Sequence, residues 1–243
     1  MVATDQPDMM SAGIKVAVSS RTDGTMLDRE RSDRHDATIV ANRVAFCQKV
    51  GIDYASVAYQ IIRYGASESY THLVEVDRPC SDGVYADILY TETPGVALFL
   101  PVADCAATVI YDAKARRLAI AHLGRHSTMA NAMTTALDYF ICKGSSAADI
   151  QIWMAPSVKQ ASYRMEYFSP TNLPAWRGFY EHRDDGYYLD LQGYSAALAV
   201  KAGVLPQNIH VSPVNTAIDP EYFSHSQGDS SGRFAVVVML TSH

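Results

Sequence analysis

Short apolar runs separated by polar turns dominate the chain, with a few stretches of helical spacing between them. Ile14-Lys15-Val16-Ala17-Val18 alternates as a strand and runs into a polar, turn-rich loop over 19–24. Residues 26–36 carry both signs of charge at high density, which predicts a solvated loop or a helix start. Over 37–50, Ile39, Val40, Val44, Ala45 and Phe46 fall near helical spacing, with Gly51 as the stop. Residues 56–63 and 70–76 read as strands with a loop over 64–69. A second loop covers 80–83, and 86–90 leads to the Thr93-Pro94-Gly95 turn. The apolar run 96–102 predicts a buried strand. A helix is expected over 127–143 with Ser127 as N-cap, a strand over 150–154, and a helix from 188 to 202. Strands follow at 209–211 and 234–240, while the aromatic-rich stretch 163–180 has no readable period. Strands interleaved with helices, without a linker, predict one α/β domain (a mixed α+β sheet) over 14–243, helices packed on the sheet. Residues 1–13 are polar and read as a flexible arm.

The pattern is most informative around residue 105. Residues 107–111 and 118–121 are strand-like, and the link 112–117 is short and polar, so they predict an antiparallel hairpin. Its geometry sets Cys105, before the first strand, beside His122, at the end of the second. A thiol and an imidazole at one sheet rim suit either a soft-metal site or a Cys/His catalytic pair. A lone cysteine is more often a buried, apolar-like side chain, and the adjacent histidine is what raises Cys105 above that.

Composition narrows the setting. The chain has 243 residues, 48% hydrophobic and 19% charged, which is ordinary for a globular protein. A net charge of −6 argues against a nucleic-acid partner, and no apolar run is long enough to span a membrane. Four widely spaced cysteines without a CxxC pair point to a reducing, cytoplasmic setting. A monomer or small homo-oligomer is expected.

Several stretches together resemble a known family. Val102-Ala103-Asp104-Cys105 looks like the "TADC" motif of the laccase-domain family, the bacterial multicopper polyphenol oxidoreductase-like proteins. The run from Ala121 through His122, Gly124 and Arg125 to Ser127 is similar to that family's "AHAGWRG". Ser20-Arg21-Thr22-Asp23-Gly24 resembles "STRxGG", Asn42-Arg43 an "NR", and Ala86-Asp87 with Thr93-Pro94-Gly95 "ADA…TPG". Tyr222-Phe223-Ser224 and Ser231-Gly232-Arg233 are similar to "FFSYRR…TGR".

The resemblance implies one α/β domain with a metal held by two histidines and a cysteine, zinc by preference and copper as the alternative. It implies activity on purine nucleosides: phosphorolysis of adenosine, inosine or methylthioadenosine, with adenosine deamination beside it. Carried over, Cys105 and His122 are metal ligands, and Cys105, His122 and Asp104 the catalytic group, Asp104 capping or orienting. The family's other histidine sits in "QVHG". An ungapped count puts Ser69 there, while His72 stands three residues later and is taken as the third ligand, His126 being a substitute. Arg21, Arg43, His126 and Arg233 are the expected substrate- and phosphate-binding residues, although structural ion pairs explain the arginines equally well. "WRG" has become Arg125-His126-Ser127 and "SYRR" has become Ser224-His225-Ser226-Gln227. Phosphorolysis is therefore expected to be the more impaired activity. A copper polyphenol oxidase is the first alternative, but eight histidines with no HxH pair disfavour a multicopper cluster. A binding protein that keeps the fold without the activity is the second.

Overall fold

The structure is a computed structural model and describes residues 7, 10, 12–31, 33–63, 72–169 and 174–242. With elements numbered in chain order, the first sheet has six strands. They are β1 (Ile14–Val18), β2 (Leu27–Asp28), β3 (Val57–Ile61), β5 (Cys80–Tyr85), β7 (Ala97–Val102) and β15 (Gly232–Leu240), in the order β1-β15-β7-β3-β5 with β2 on β15. The second also has six: β4 (Leu73–Glu75), β6 (Ile88–Thr91), β8 (Ala106–Asp112), β9 (Arg117–Leu123), β10 (Ile150–Met154) and β14 (Ile209–Val211). Their order is β14-β10-β8-β9-β6-β4. Both sheets mix parallel and antiparallel pairs.

Alternation along the strands sorts the core into layers. Val236, Val238 and Leu240 of β15 and Leu98 and Leu100 of β7 meet Val109 of β8, Ile120 of β9 and Trp153 of β10 between the two sheets. The intervening residues Ala235, Val237, Ala97 and Phe99 face outward onto α1 (Ala37–Lys49) through Phe46 and Cys47. On the far side of the second sheet, Ile110, Ala119 and Ile152 meet α3 (Ala132–Cys142) and Ala199 of α4 (Leu191–Lys201). The result is a four-layer α/β/β/α arrangement. Each fully buried aliphatic side chain in it contributes about 1.5–3 kcal/mol.

A smaller sheet, β11 (Arg164–Met165), β13 (Gly186–Leu189) and β12 (Tyr180–Arg183), occupies the stretch without a readable period. Its aromatic cluster centres on Trp176, stacked on Tyr194 at 3.9 Å between ring centroids, with Phe168 at its edge.

Four expectations change. The loop predicted at 80–83 is the start of β5, an exposed polar strand that pairs in parallel with β3. The helix predicted over 127–143 is two: α2 (Arg125–Met129) starts two residues earlier, with Gly124 as its N-cap, and ends before Asn131. Asn131 is left-handed (φ 59°) and redirects the chain into α3. The helix expected from Tyr188 begins at Leu191, because Tyr188 and Leu189 still pair in β13 and Asp190 caps the helix through Gly193 N at 2.8 Å. Finally, Met10, placed in the flexible arm, is fully buried in the inter-sheet core, and Gly13 O accepts from Thr241 N.

Candidate active site

Cys105 sits in the turn between β7 and β8, and His122 near the end of β9, whose register with β8 pairs His122 with Ala107. The hairpin thus brings thiol and imidazole together as its geometry predicts. Gly124 shows how closely: a Cβ built there would stand 2.9 Å from Cys105 Sγ and 3.0 Å from His122 Nε2. Any side chain at 124 would occupy the space the two groups share. Ser127 Oγ donates to His122 O at 2.6 Å and accepts from Gly124 N at 3.0 Å, locking the strand end to the start of α2.

On the other side of the imidazole, Asp87 Oδ1 lies 3.7 Å from His122 Nδ1, an electrostatic contact rather than a hydrogen bond. Asp87 O accepts from His122 N, and Asp87 N donates to His72 O, so backbone bonds fix the carboxylate. Burial by itself pulls the His122 pKa down, but the charges of Cys105 and Asp87 outweigh it and push it up to about 9. Burial, then the charges of Arg125 and His122, holds His126 below the ordinary histidine value.

Asp104 precedes the thiol with a left-handed backbone, φ 71°, unusual for a non-glycine residue. Its carboxylate is fully engaged, accepting from Thr216 Oγ1 at 2.8 Å and Ser226 N at 2.7 Å, while its carbonyl accepts from Val158 N. Asp104 therefore ties three loops to the turn that presents Cys105, a positioning role.

The pair opens into a cavity of about 610 Å³. Among the described residues, five arginines (Arg29, Arg63, Arg125, Arg164 and Arg233) line it against two aspartates, Asp87 and Asp104. Arg164 is paired with Asp185 at 3.1 Å, and the lining remains richer in arginine than in carboxylate although the chain carries a net charge of −6. Ile62, Tyr163 and Met165 supply apolar wall, and His126 and His225 also line it. Burial, then the charge of Cys105, keeps the Tyr163 phenol raised above the tyrosine range.

Not every expected residue reaches the site. His72 is exposed and does not line the cavity; its backbone N approaches Asp87 Oδ2 at 3.4 Å. Ser69 lies outside the described residues. Arg21 is spent on Asp229, Pro220 O and Tyr222 O and packs over the Phe223 ring. Arg43 is fully buried under α1, donating to Met26 O, Arg34 O and Tyr59 Oη. Both do structural work away from the cavity. Arg29, Arg63 and Arg164 were missed, because a residue from a loop, a strand end and a small sheet leaves no shared spacing. Asp87 was visible only as half of an Ala-Asp motif.

The donor set can be tested against the metal the resemblance implies. Cys105 and His122 are suitable soft donors. However, β3 runs on as Gln60-Ile61-Ile62-Arg63, which resembles "QVHG" with Ile62 in the histidine's place, and Ile62 lines the cavity. An alkyl side chain cannot ligate. No cluster of three His, Cys, Asp or Glu groups with metal-binding geometry occurs among the described residues. Residues 64–71, outside them, contain no histidine or cysteine and one carboxylate, Glu68. His126, the substitute ligand, and His225 line the same cavity but form no such cluster with Cys105 and His122, so the described residues do not make a His/His/Cys centre.

A family model described as multi-copper polyphenol oxidoreductase laccase matches residues 17–241. The chain belongs to this family. Relatives within it include a purine nucleoside phosphorylase of Mycobacterium tuberculosis, 28% identical over 209 residues, covering 84% of this chain and 80% of the relative. A purine nucleoside phosphorylase of Streptomyces coelicolor is 27% identical over 83% of this chain and 82% of its own length. The fold of this family member is that of the hypothetical protein YfiH from Bacillus licheniformis (TM-score 0.82, 21% identity, 99% of both chains). YlmD from Geobacillus stearothermophilus is also similar (TM-score 0.78, 20% identity, 95% of this chain and 93% of that one). No described helix is long and apolar enough to cross a membrane.

Proposed function

We propose that this family member cleaves purine nucleosides by phosphorolysis, with inorganic phosphate as the attacking co-substrate. The observation that carries the reading is the arginine-lined cavity around Cys105 and His122. Guanidinium groups pair with phosphate oxygens in bidentate fashion and keep their charge at any working pH. Arg125, one place earlier in its motif, and arginines from other segments thus stand in for those the two motifs lost, and the expectation of impaired phosphorolysis gives way to one of a competent phosphate site. The names carried by the relatives agree with this chemistry.

In the reaction a phosphate oxygen forms a bond to the ribose C1′ while the bond from C1′ to the base nitrogen breaks. The base leaves with the electron pair and takes up a proton. Arginines hold the phosphate, and Ile62, Tyr163 and Met165 offer a surface for the flat base. Because Ile62 fills the third donor position, no part of this scheme calls on a metal. The free state of all four cysteines suits a reducing cytoplasm.

Chromatography of adenosine, inosine and methylthioadenosine incubated with the protein, with and without phosphate, tests the reading. Free base is expected only with phosphate. Arg125→Ala should raise the KM for phosphate on the order of tenfold or more, the size of one lost charge-assisted hydrogen bond. Inosine formed from adenosine without phosphate would assign water as the attacking group. No product from any nucleoside would overturn the proposal.

A further inference from the structure

We propose that Cys105, His122 and Asp87 form a metal-independent nucleophile, base and orienting carboxylate, and that the thiol takes an acyl group from a small anionic ester. This goes beyond nucleoside cleavage and does not depend on it.

Three observations converge. First, Sγ and Nε2 approach the same point above Gly124, which leaves no space for a side chain and puts the imidazole within reach of the thiol proton. Second, Asp87 lies behind the opposite ring nitrogen, as a third group that orients a base does. Third, the left-handed Asp104 turns the chain sharply between β7 and β8, so that Cys105 stands at the cavity wall, half-buried and unbridged. Strained turns of this kind present nucleophiles in other folds.

The surroundings decide between a nucleophile and a metal ligand. The arginines that line the cavity repel a divalent cation and attract an anion. Ile62, which also lines the cavity, offers no donor. An anionic substrate is favoured by the same field.

The step balances with water alone. Sulfur bonds to the carbonyl carbon with the one proton of the Cys105–His122 pair held on the imidazole. The acyl–oxygen bond then breaks, and the departing alkoxide takes the proton from His122. Water cleaves the thioester, His122 receiving its proton and returning it to the sulfur. The net reaction is ester hydrolysis. Substrate charge is met by the arginines.

The test begins with the unmodified protein. It is treated in parallel with iodoacetate and iodoacetamide, and alkylation at each cysteine is followed by peptide mass spectrometry. Cys142, exposed at the end of α3, serves as the internal reference. The ratio of the iodoacetate rate to the iodoacetamide rate should be greater at Cys105 than at Cys142 by about tenfold, the scale of electrostatic focusing in a charged cleft. Arg125→Ala should reduce that ratio, and His122→Ala should slow both reagents. Ile62→His should bind zinc at close to one per chain, the parent being expected to bind none, and zinc should then protect Cys105. 4-Nitrophenyl hydrogen succinate should be hydrolysed faster than neutral 4-nitrophenyl acetate, and Cys105→Ser should abolish the difference. Two results overturn the proposal: stoichiometric zinc in the parent with Cys105 alkylated only after chelation, or Cys105 reacting no faster than Cys142 with either reagent. Neither depends on nucleoside turnover, so this proposal and the phosphorylase reading fail separately.

Discussion

Gly124 is the residue on which the site turns. Its φ is ordinary, so what excludes other residues is space: a Cβ would stand 2.8 Å from His122 Cε1 and 2.9 Å from Cys105 Sγ. Contacts under 3 Å force something to move, and here the things that move are the reactive groups. Gly124→Ala should therefore leave the circular dichroism spectrum unchanged while lowering turnover at least tenfold, on the scale of an ångström-sized displacement at a reacting centre. Unchanged turnover would show that the thiol and imidazole tolerate separation. At this scale the chain is partly legible. The closeness of Cys105 and His122 follows from two strands and a short polar link, all within twenty residues. The arginines do not follow, because Arg29, Arg63, Arg125, Arg164 and Arg233 come from five separate segments and meet only once the chain has folded. Ile62 was illegible for another reason: an ungapped count between motifs lands on Ser69 and passes over the resemblance of Gln60-Ile61-Ile62-Arg63 to "QVHG".

Among the elements, an ion pair joins the segment 222–229 to the turn that follows β1. Asp229 accepts from Arg21 Nη2 at 2.7 Å and from Ser224 N at 2.8 Å, and the Arg21 hydrogen bond, more than burial opposes it, keeps the Asp229 carboxyl below its ordinary value. A depressed carboxylate contributes stability that is present above the unfolded pKa of about 3.9 and is lost as the pH falls through the folded value. Both side chains are partly exposed, at 41% for Arg21 and 27% for Asp229, so solvent screening limits the contribution to roughly 1 kcal/mol or less. Asp229→Asn should lower the urea midpoint modestly at pH 7, with the difference from the parent closing towards pH 3. A difference that widens on acidification would contradict this sign. Elements with strong periods were legible, including β7, β15 and α1. The strand β5 was not, since its side chains are polar and solvent-facing with Gly83 in the middle, and such a strand is defined by its pairing with β3 rather than by its own pattern.

For the whole molecule, the inter-sheet core reaches beyond the strands. Met10 is fully buried in one cluster with Val236, Val238 and Trp153, so a residue ahead of the first strand still belongs to the cooperative unit. Met10→Ala should cost about 2–5 kcal/mol, read as a lower urea midpoint with an unchanged slope. A neutral result would place the segment outside the folding unit. The four-layer order also separates the molecule's only two tryptophans. Trp153 lies between the main sheets, whereas Trp176 stacks on Tyr194 in the aromatic cluster that shares Tyr163 and Met165 with the cavity wall. Intrinsic fluorescence thus carries two addresses in one spectrum. Trp176→Phe leaves an emission that tracks the central core, Trp153→Phe one that tracks the cavity's aromatic flank, and comparing the two distinguishes loosening beside the substrate from melting of the whole chain.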